Sequence, residues 1–178
     1  MEVLVALGLG SMVLGTVASL GLYGTRSSMA IANYTDLDAK SRYALDVISR
    51  EVRQATAVLA SQNGATCKSL TLTNSFGAQL TTLTWQAGTR TIVIERTGFR
   101  PLIALTDCDR WDFSFCQRTP LVTATNLILF PATNSSGVLD LKLCKLVSMS
   151  WKCSRTLLRQ KVHTESVQAA QLVLRNKQ

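Results

Sequence analysis

The first 25 residues form an almost uninterrupted apolar run. Glu2 is the only acid near its start, residues 3–25 carry no charge, and the first base is Arg26. A helix rises about 1.5 Å per residue, so this stretch covers roughly 30 Å, the thickness of a bilayer's hydrocarbon core. Its apolar residues face all sides of the helix, which indicates burial in lipid or in a deep core. The residues expected to pack there are Val3, Leu4, Val5, Leu7, Leu9, Val13, Leu14, Val17 and Leu20.

Two alternatives to a membrane-embedded helix are disfavoured by the same pattern. A buried helix of a soluble protein would need a large core, but the rest of the chain is short and often polar. A cleaved secretory signal would carry basic residues before a shorter apolar run, whereas the charge here is the acidic Glu2. We therefore interpret residues 1–25 as a transmembrane or filament-core helix half.

The pattern from residue 26 to residue 62 remains helical but has only one apolar face. No Gly or Pro occurs between residues 27 and 60 to end the helix. Acids precede bases by four positions on the other faces, the favourable orientation for a helix. We predict a single helix of roughly 55–60 residues that stops at Gln62-Asn63-Gly64. Its second half is expected to dock on a sheet through Leu45, Ile48, Val52 and Ala55.

Residues 63–178 alternate apolar and polar positions, as β-strands do. Alternation is clearest in residues 68–73, 81–86 and 90–96, and the last two are expected to form an antiparallel hairpin. The β pattern continues through residues 113–115 and 138–158, with a turn before it at Asn134-Ser-Ser-Gly137 and a break near residues 144–146. For residues 167–174, helix and strand remain equally open. The predicted fold is α+β, with one long N-terminal helix packed on an antiparallel β-sheet domain.

This arrangement resembles the type IV pilin and pseudopilin family. Residues 2–7, Glu-Val-Leu-Val-Ala-Leu, are similar to its mature N-terminal motif, Phe-Thr-Leu-Val-Glu-Val-Leu-Val-Ala. The similarity starts at the fourth position of that motif. Residues 41–55 resemble the helix of J-type or PilW-like minor subunits. Residues 144–150 and 154–156 resemble a later strand of that group, and residues 164–176 resemble the tails of type II secretion pseudopilins. The printed sequence lacks the family's basic leader, its Gly and Phe-Thr-Leu, so we expect a trimmed chain or a start assigned too late.

The resemblance implies a structural, non-enzymatic minor pseudopilin or minor pilin. Such a subunit crosses the bacterial inner membrane once, places its C-terminal domain in the periplasm, and joins a filament or its tip for type II secretion or a type IV pilus. Its implied partners are other pilin or pseudopilin subunits, the inner-membrane assembly platform and the lipid bilayer. Glu2 would pair with the N-terminal amine of an adjacent subunit and so register the filament. No metal and no cofactor is implied.

Two other functions stay open. One is a single-pass anchored protein that never polymerises. The other is a DNA-contacting minor pilin of an uptake system, since the net charge is +8 and bases outnumber acids in the C-terminal third. Those bases are Lys142, Lys145, Lys152, Arg155, Arg159, Lys161, Arg175 and Lys177.

The remaining candidate chemistry is sparse. The five cysteines contain no Cys-x-x-Cys pair, so a zinc ribbon is not supported, but Cys108 and Cys116 are expected as a candidate disulfide in an oxidising periplasm. His163, the only histidine, has no evident acid and nucleophile around it. The acids at residues 107, 109 and 112 form a weak calcium motif, since Arg110 among them opposes a cation. We therefore expect no enzymatic activity.

Overall fold

The computed structural model describes residues 2–74, 79–122, 128–134, 136–156 and 165–174. Within these ranges one long helix leads into a β-rich domain with a short 3-10 turn. The elements, in chain order, are α1 (Glu2–Gln54), β1 (Ala55–Asn63), β2 (Cys67–Asn74), β3 (Leu80–Gln86), β4 (Thr91–Arg96), β5 (Leu102–Leu105), β6 (Cys108–Val122), β7 (Ile128–Pro131), the 3-10 turn (Leu141–Leu143), β8 (Leu146–Ser154) and β9 (Glu165–Val173).

The single continuous helix predicted from the sequence is present but shorter than expected. α1 has 53 residues and ends at Gln54, and Ala55 is already the first residue of β1. β1 pairs antiparallel with β2, so the sheet satisfies the backbone groups of residues 55–63. Ala55 is therefore buried as a strand residue, at 2% exposure, and does not belong to the helix face on which we placed it.

The strands form two antiparallel sheets. Sheet 1 has the order β1-β2-β3-β4-β5, and sheet 2 has the order β7-β6-β8-β9. The predicted hairpin is β3–β4, in which Leu83 lies opposite Ile94. Residues 167–173, for which the sequence left helix and strand equally open, belong to β9. The break predicted near residues 144–146 separates the 3-10 turn from β8. At the turn before it, the Gly137 N–H donates to the Asn134 carbonyl at 2.9 Å with a φ of 75° at Gly137.

The core lies between the sheets and the second half of α1, residues 26–54. This half packs on β9 and β8 of sheet 2 and on β5, the edge strand of sheet 1, so it covers both sheets. Trp111 of β6 and Trp151 of β8 lie opposite each other beneath it, at 0% and 1% exposure. The helix residues that contribute to the core with no exposed surface are Leu37, Ser41, Ala44, Ile48 and Val52.

Candidate functional site

The apolar half of α1, residues 2–25, is exposed around its whole circumference. Its large hydrophobic side chains are between 60% and 75% exposed, from Val13 at the low end to Tyr23 at the high end. In length and composition α1 could cross a membrane, and none of its most apolar window is buried within the molecule. The residues expected to pack in lipid or in a bundle all lie on this surface: Val3, Leu4, Val5, Leu7, Leu9, Val13, Leu14, Val17 and Leu20.

The few polar side chains of the apolar half bond back to their own helix. The Ser11 hydroxyl donates to the Gly8 carbonyl at 2.9 Å, and the Thr16 hydroxyl donates to the Val13 carbonyl at 2.7 Å. Ser19 and Thr25 bond in the same way to carbonyls three or four residues earlier. A hydroxyl satisfied within the helix loses little on transfer to an apolar environment, so these residues do not oppose burial in lipid.

Five glycines in the apolar half have no packing role in the part of the chain that the structure describes. A Cβ added at any of them would meet no atom within 4 Å. Each glycine nevertheless costs a helix about 1 kcal/mol relative to alanine. Small residues on a membrane helix allow a neighbouring helix to approach closely. The glycines are Gly8, Gly10, Gly15, Gly21 and Gly24.

Glu2 lies in the first turn of α1, where the helix dipole favours a negative charge. Within the described ranges no base forms an ion pair with it, and its side chain is exposed. The carboxylate therefore stands at the end of an apolar surface with no partner among the described residues of its own chain.

An ion-pair cluster fixes the place where α1 meets the β-domain. Arg155, just after β8, contacts Asp36 of α1 and Asp107 before β6, each at 2.7 Å. We call these three residues the Arg155 clamp. The Arg155 hydrogen bond, followed by that of Lys40, lowers the pKa of Asp36, and the Asp36 and Asp107 hydrogen bonds raise the pKa of Arg155. The clamp therefore stabilises the anionic form of Asp36 and the cationic form of Arg155.

Further polar contacts hold the rest of the docked half. Ser41, on the buried face of α1, accepts a hydrogen bond from Trp151 Nε1 at 2.6 Å. Glu51 pairs with Arg96 of β4 at 2.6 Å, and the Gln168 amide of β9 donates to Asp38 at 3.2 Å. Sequence reasoning missed these partners because each lies far away in the chain; a serine on an otherwise apolar helix face was the only signal.

The structure places the expected helix-docking residues on two elements. Ile48 and Val52 have no exposed surface and Leu45 is half-buried, all on the side of α1 that faces the sheets. Ala55 reaches the same core from β1. The docking face thus continues from the helix directly into the first strand.

The predicted disulfide between Cys108 and Cys116 is wrong. Both residues belong to β6 and lie eight positions apart on one extended strand. At about 3.3 Å per residue their Cα atoms are roughly 25 Å apart, whereas a disulfide needs less than about 7 Å.

The other candidate chemistry finds ordinary partners. Among the three acids of the weak calcium motif, Asp107 belongs to the Arg155 clamp, Asp109 pairs with Arg90 at 2.6 Å, and Asp112 pairs with Lys68 at 2.7 Å. In the described ranges no group of three or more His, Cys, Asp and Glu side chains could hold a metal ion.

The basic C-terminal third is partly engaged in ion pairs. Arg155 belongs to the clamp, and Lys152 pairs with Glu165 at 2.8 Å. His163 lies outside the described residues, as do Arg159, Lys161, Arg175 and Lys177.

Comparisons of this chain with protein-family models, with curated proteins and with solved structures give no match.

Proposed function

We propose that this chain is a structural minor subunit of pilin type, a minor pseudopilin or minor pilin, with no enzymatic activity. It is stored in the bacterial inner membrane as a single-pass protein, with its β-domain in the periplasm, and assembles through its apolar helix half into a filament or a filament tip. The observation that carries the proposal is the exposure of that helix half on all sides beside a domain that already has its own core.

The size of this surface argues against a protein that rests in water. Burying one Val or Leu side chain contributes about 1.5–3 kcal/mol, so nine such residues, each roughly two-thirds exposed, represent on the order of 10–20 kcal/mol. That equals or exceeds the whole stability of a typical domain, about 5–15 kcal/mol. The apolar half therefore needs lipid or other helices around it.

Two further features support transfer from lipid to a helix bundle. The hydroxyls that bond within the helix remain satisfied in either environment. The glycines cost helix stability without any packing benefit in the described part of the chain, and they would allow neighbouring helices to approach closely. In lipid alone no close helix contact would compensate for the helix stability lost at the glycines, so the glycines favour assembly over simple anchoring.

In such a bundle Glu2 sets the register. A carboxylate enclosed by apolar helices is strongly penalised unless a positive group pairs with it, and loss of one partner of a buried pair costs about 3–5 kcal/mol. The N-terminal amine of a neighbouring subunit supplies that positive group. Only the stagger that brings the amine to the carboxylate is stable, so one charge selects one alignment.

The continuity of α1 carries this alignment to the β-domains. No Gly or Pro occurs between residues 27 and 54, and the Arg155 clamp joins the helix to sheet 2. A register set at Glu2 therefore determines where each β-domain lies outside the bundle.

The experiment introduces a cysteine at Leu9 and compares cross-linking between chains in native membranes for the Glu2→Gln variant and a matched control. Glu95→Gln is the control, because it makes the same change at an exposed β4 position. We expect both variants to resist carbonate extraction. We also expect Glu2→Gln to reduce cross-linked oligomers at least tenfold, given the cost of about 3–5 kcal/mol. Cross-linking that is unchanged in Glu2→Gln would contradict the role of Glu2. No cross-linking even without that substitution would favour the single-pass anchored alternative.

A further inference from the structure

Two cysteines face each other across sheet 2. Cys108 is the first residue of β6, and Cys153 lies directly opposite on the neighbouring antiparallel strand, β8. Both residues have no exposed surface and belong to the same core. Opposed residues of paired strands project from the same face of a sheet, so the two sulfurs are on the same side.

The backbone hydrogen bonds show which kind of cross-strand pair this is. The Ser154 N–H donates to the Asp107 carbonyl at 3.1 Å, so the bond joins the residue after Cys153 to the residue before Cys108. The backbone groups of Cys108 point away from β8. Its N–H donates to the Arg90 carbonyl at 2.8 Å, and its carbonyl accepts from Trp85 Nε1 at 3.0 Å. Cys108 and Cys153 therefore form a non-hydrogen-bonded pair.

That geometry matches the span of a disulfide. The Cα atoms of a non-hydrogen-bonded antiparallel pair lie about 4.5 Å apart. Disulfides join Cα atoms that are about 4.4–6.8 Å apart. The other cysteines on paired strands lack such a partner, since Cys67 lies opposite Gln86 and Cys116 lies opposite Leu146.

We propose that Cys108 and Cys153, which carry thiols in this structure, are joined by a disulfide in the mature protein. The pairing rests on geometry alone. Its formation in the cell rests on the proposed function, because export of the β-domain to the periplasm brings these residues into an oxidising compartment.

The reaction is a thiol–disulfide exchange with a donor disulfide, either the disulfide of a dithiol oxidase or oxidised glutathione. The thiolate of one of the two cysteines attacks one donor sulfur and expels the other as a thiolate, which takes up a proton, and this leaves a mixed disulfide. The thiolate of the second cysteine then attacks the protein sulfur of that mixed disulfide and expels the remaining donor thiol. Two protein thiols are oxidised by two electrons, the donor disulfide is reduced to two thiols, and both protons end on the donor.

The two thiols are hydrogen-bonded to each other in the buried core. The hydrogen bond between the two side chains and then burial raise the pKa of Cys108, and the same hydrogen bond lowers the pKa of Cys153. Since neither sulfur is exposed, exchange takes place before α1 docks over β8 or during its local opening.

The bond would strengthen the point where the helix is held. Asp107 precedes Cys108 and is part of the Arg155 clamp, and Ser154, which follows Cys153, accepts from Arg90 through its carbonyl. A bridge between the two strand ends keeps these partners together. It also closes a loop of about 45 residues, for which the chain-entropy relation gives a Tm increase of about 10 °C.

The test counts alkylatable thiols by intact mass in the full-length chain, unfolded after purification from membranes without reductant. We expect three reactive thiols of the five cysteines, and peptide mapping should join Cys108 to Cys153. Cys108→Ala should leave four thiols and lower the Tm by about 10 °C. The control Cys67→Ala should leave two thiols and keep the bond.

A second arm separates the geometry from the compartment. Reduced chain in detergent micelles is incubated with oxidised glutathione, and the same peptides are mapped over time. Joining of Cys108 to Cys153 as the first bond supports the proposal. Five reactive thiols after this treatment, or a first bond at another pair, would overturn it. Five thiols in the membrane-purified chain with correct closure in glutathione would contradict the periplasmic location and leave the pairing intact.

Discussion

Replacement of Ile48 by alanine tests whether the second half of α1 is part of the domain core. Ile48 has no exposed surface and belongs to the core cluster. The substitution removes three carbon atoms, worth about 0.8 kcal/mol each in transfer free energy. The cavity left behind adds to this, so we expect a total loss of about 3–4 kcal/mol in the free energy of unfolding.

Ile31→Ala provides the matched control on the same helix. Ile31 is 64% exposed, so its truncation creates no cavity in the domain. Both variants gain the same few tenths of a kcal/mol from the higher helix propensity of alanine, and this gain cancels in the comparison. The difference between the two variants therefore measures the packing of the docked face alone.

The assay is guanidinium unfolding of the full-length chain in detergent micelles, followed by tryptophan fluorescence. Trp85, Trp111 and Trp151 all lie in the core and report its loss. A loss of about 3 kcal/mol raises the unfolded fraction roughly 150-fold and lowers the Tm by about 10 °C. If the two variants unfold within about 0.5 kcal/mol of each other, the helix does not share the core and the docking described here is refuted.

Three other expectations follow from the contacts of the docked half and from the basic charge. Ser41→Ala leaves Trp151 Nε1 buried without its acceptor, so we expect a loss of about 1–3 kcal/mol in unfolding experiments. Because folding lowers the pKa of Asp36, its ionised carboxylate stabilises the fold at pH values above the carboxyl's unfolded pKa of about 4. This contribution to the free energy of unfolding is lost as the pH falls through the pKa of Asp36 in the folded state. Arg155→Ala should make the free energy of unfolding less dependent on pH in this acidic range. Arg42→Ala, which removes an exposed base from α1, should leave that pH dependence unchanged. In filter binding we expect no retention of duplex DNA at physiological salt; retention that falls steeply with salt would favour the DNA-contacting alternative.

The sequence predicted those parts of the fold that depend on local pattern. The uncharged run after Glu2 predicted an exposed apolar helix, and strict alternation in residues 81–86 and 90–96 predicted the β3–β4 hairpin. These features depend on side-chain periodicity within one segment, which the sequence shows directly.

The end of the helix could not be read in the same way. Residues 55–63, Ala-Thr-Ala-Val-Leu-Ala-Ser-Gln-Asn, contain neither Gly nor Pro and continue the helical spacing. They form a strand because β2 offers a row of backbone partners, and pairing across a sheet overrides a weak local preference. Val58 becomes buried as a result, while Leu59, whose spacing would continue the apolar face of the helix, is 53% exposed.

The cysteine pairing failed for a related reason. Cys108 and Cys116 are only eight positions apart in the sequence, but both lie on β6, and the extended strand holds their side chains far from each other. Cys153 comes to lie opposite Cys108 only through the register of β6 with β8. The Arg155 clamp likewise joins residues 119 positions apart. Register and long-range ion pairs depend on how the sheets assemble, which no local pattern contains.

The most direct measurement of the central claim is the accessibility of a nitroxide label in the membrane-reconstituted monomer. Labels at Leu14 in the apolar half and at Tyr43 in the docked half both occupy exposed positions, at 71% and 56%. We predict that oxygen dissolved in lipid relaxes the Leu14 label and that a water-soluble nickel chelate does not, with the opposite result at Tyr43. Strong relaxation of the Leu14 label by the nickel chelate, or by neither agent, would contradict the claim that lipid surrounds this helix half before assembly.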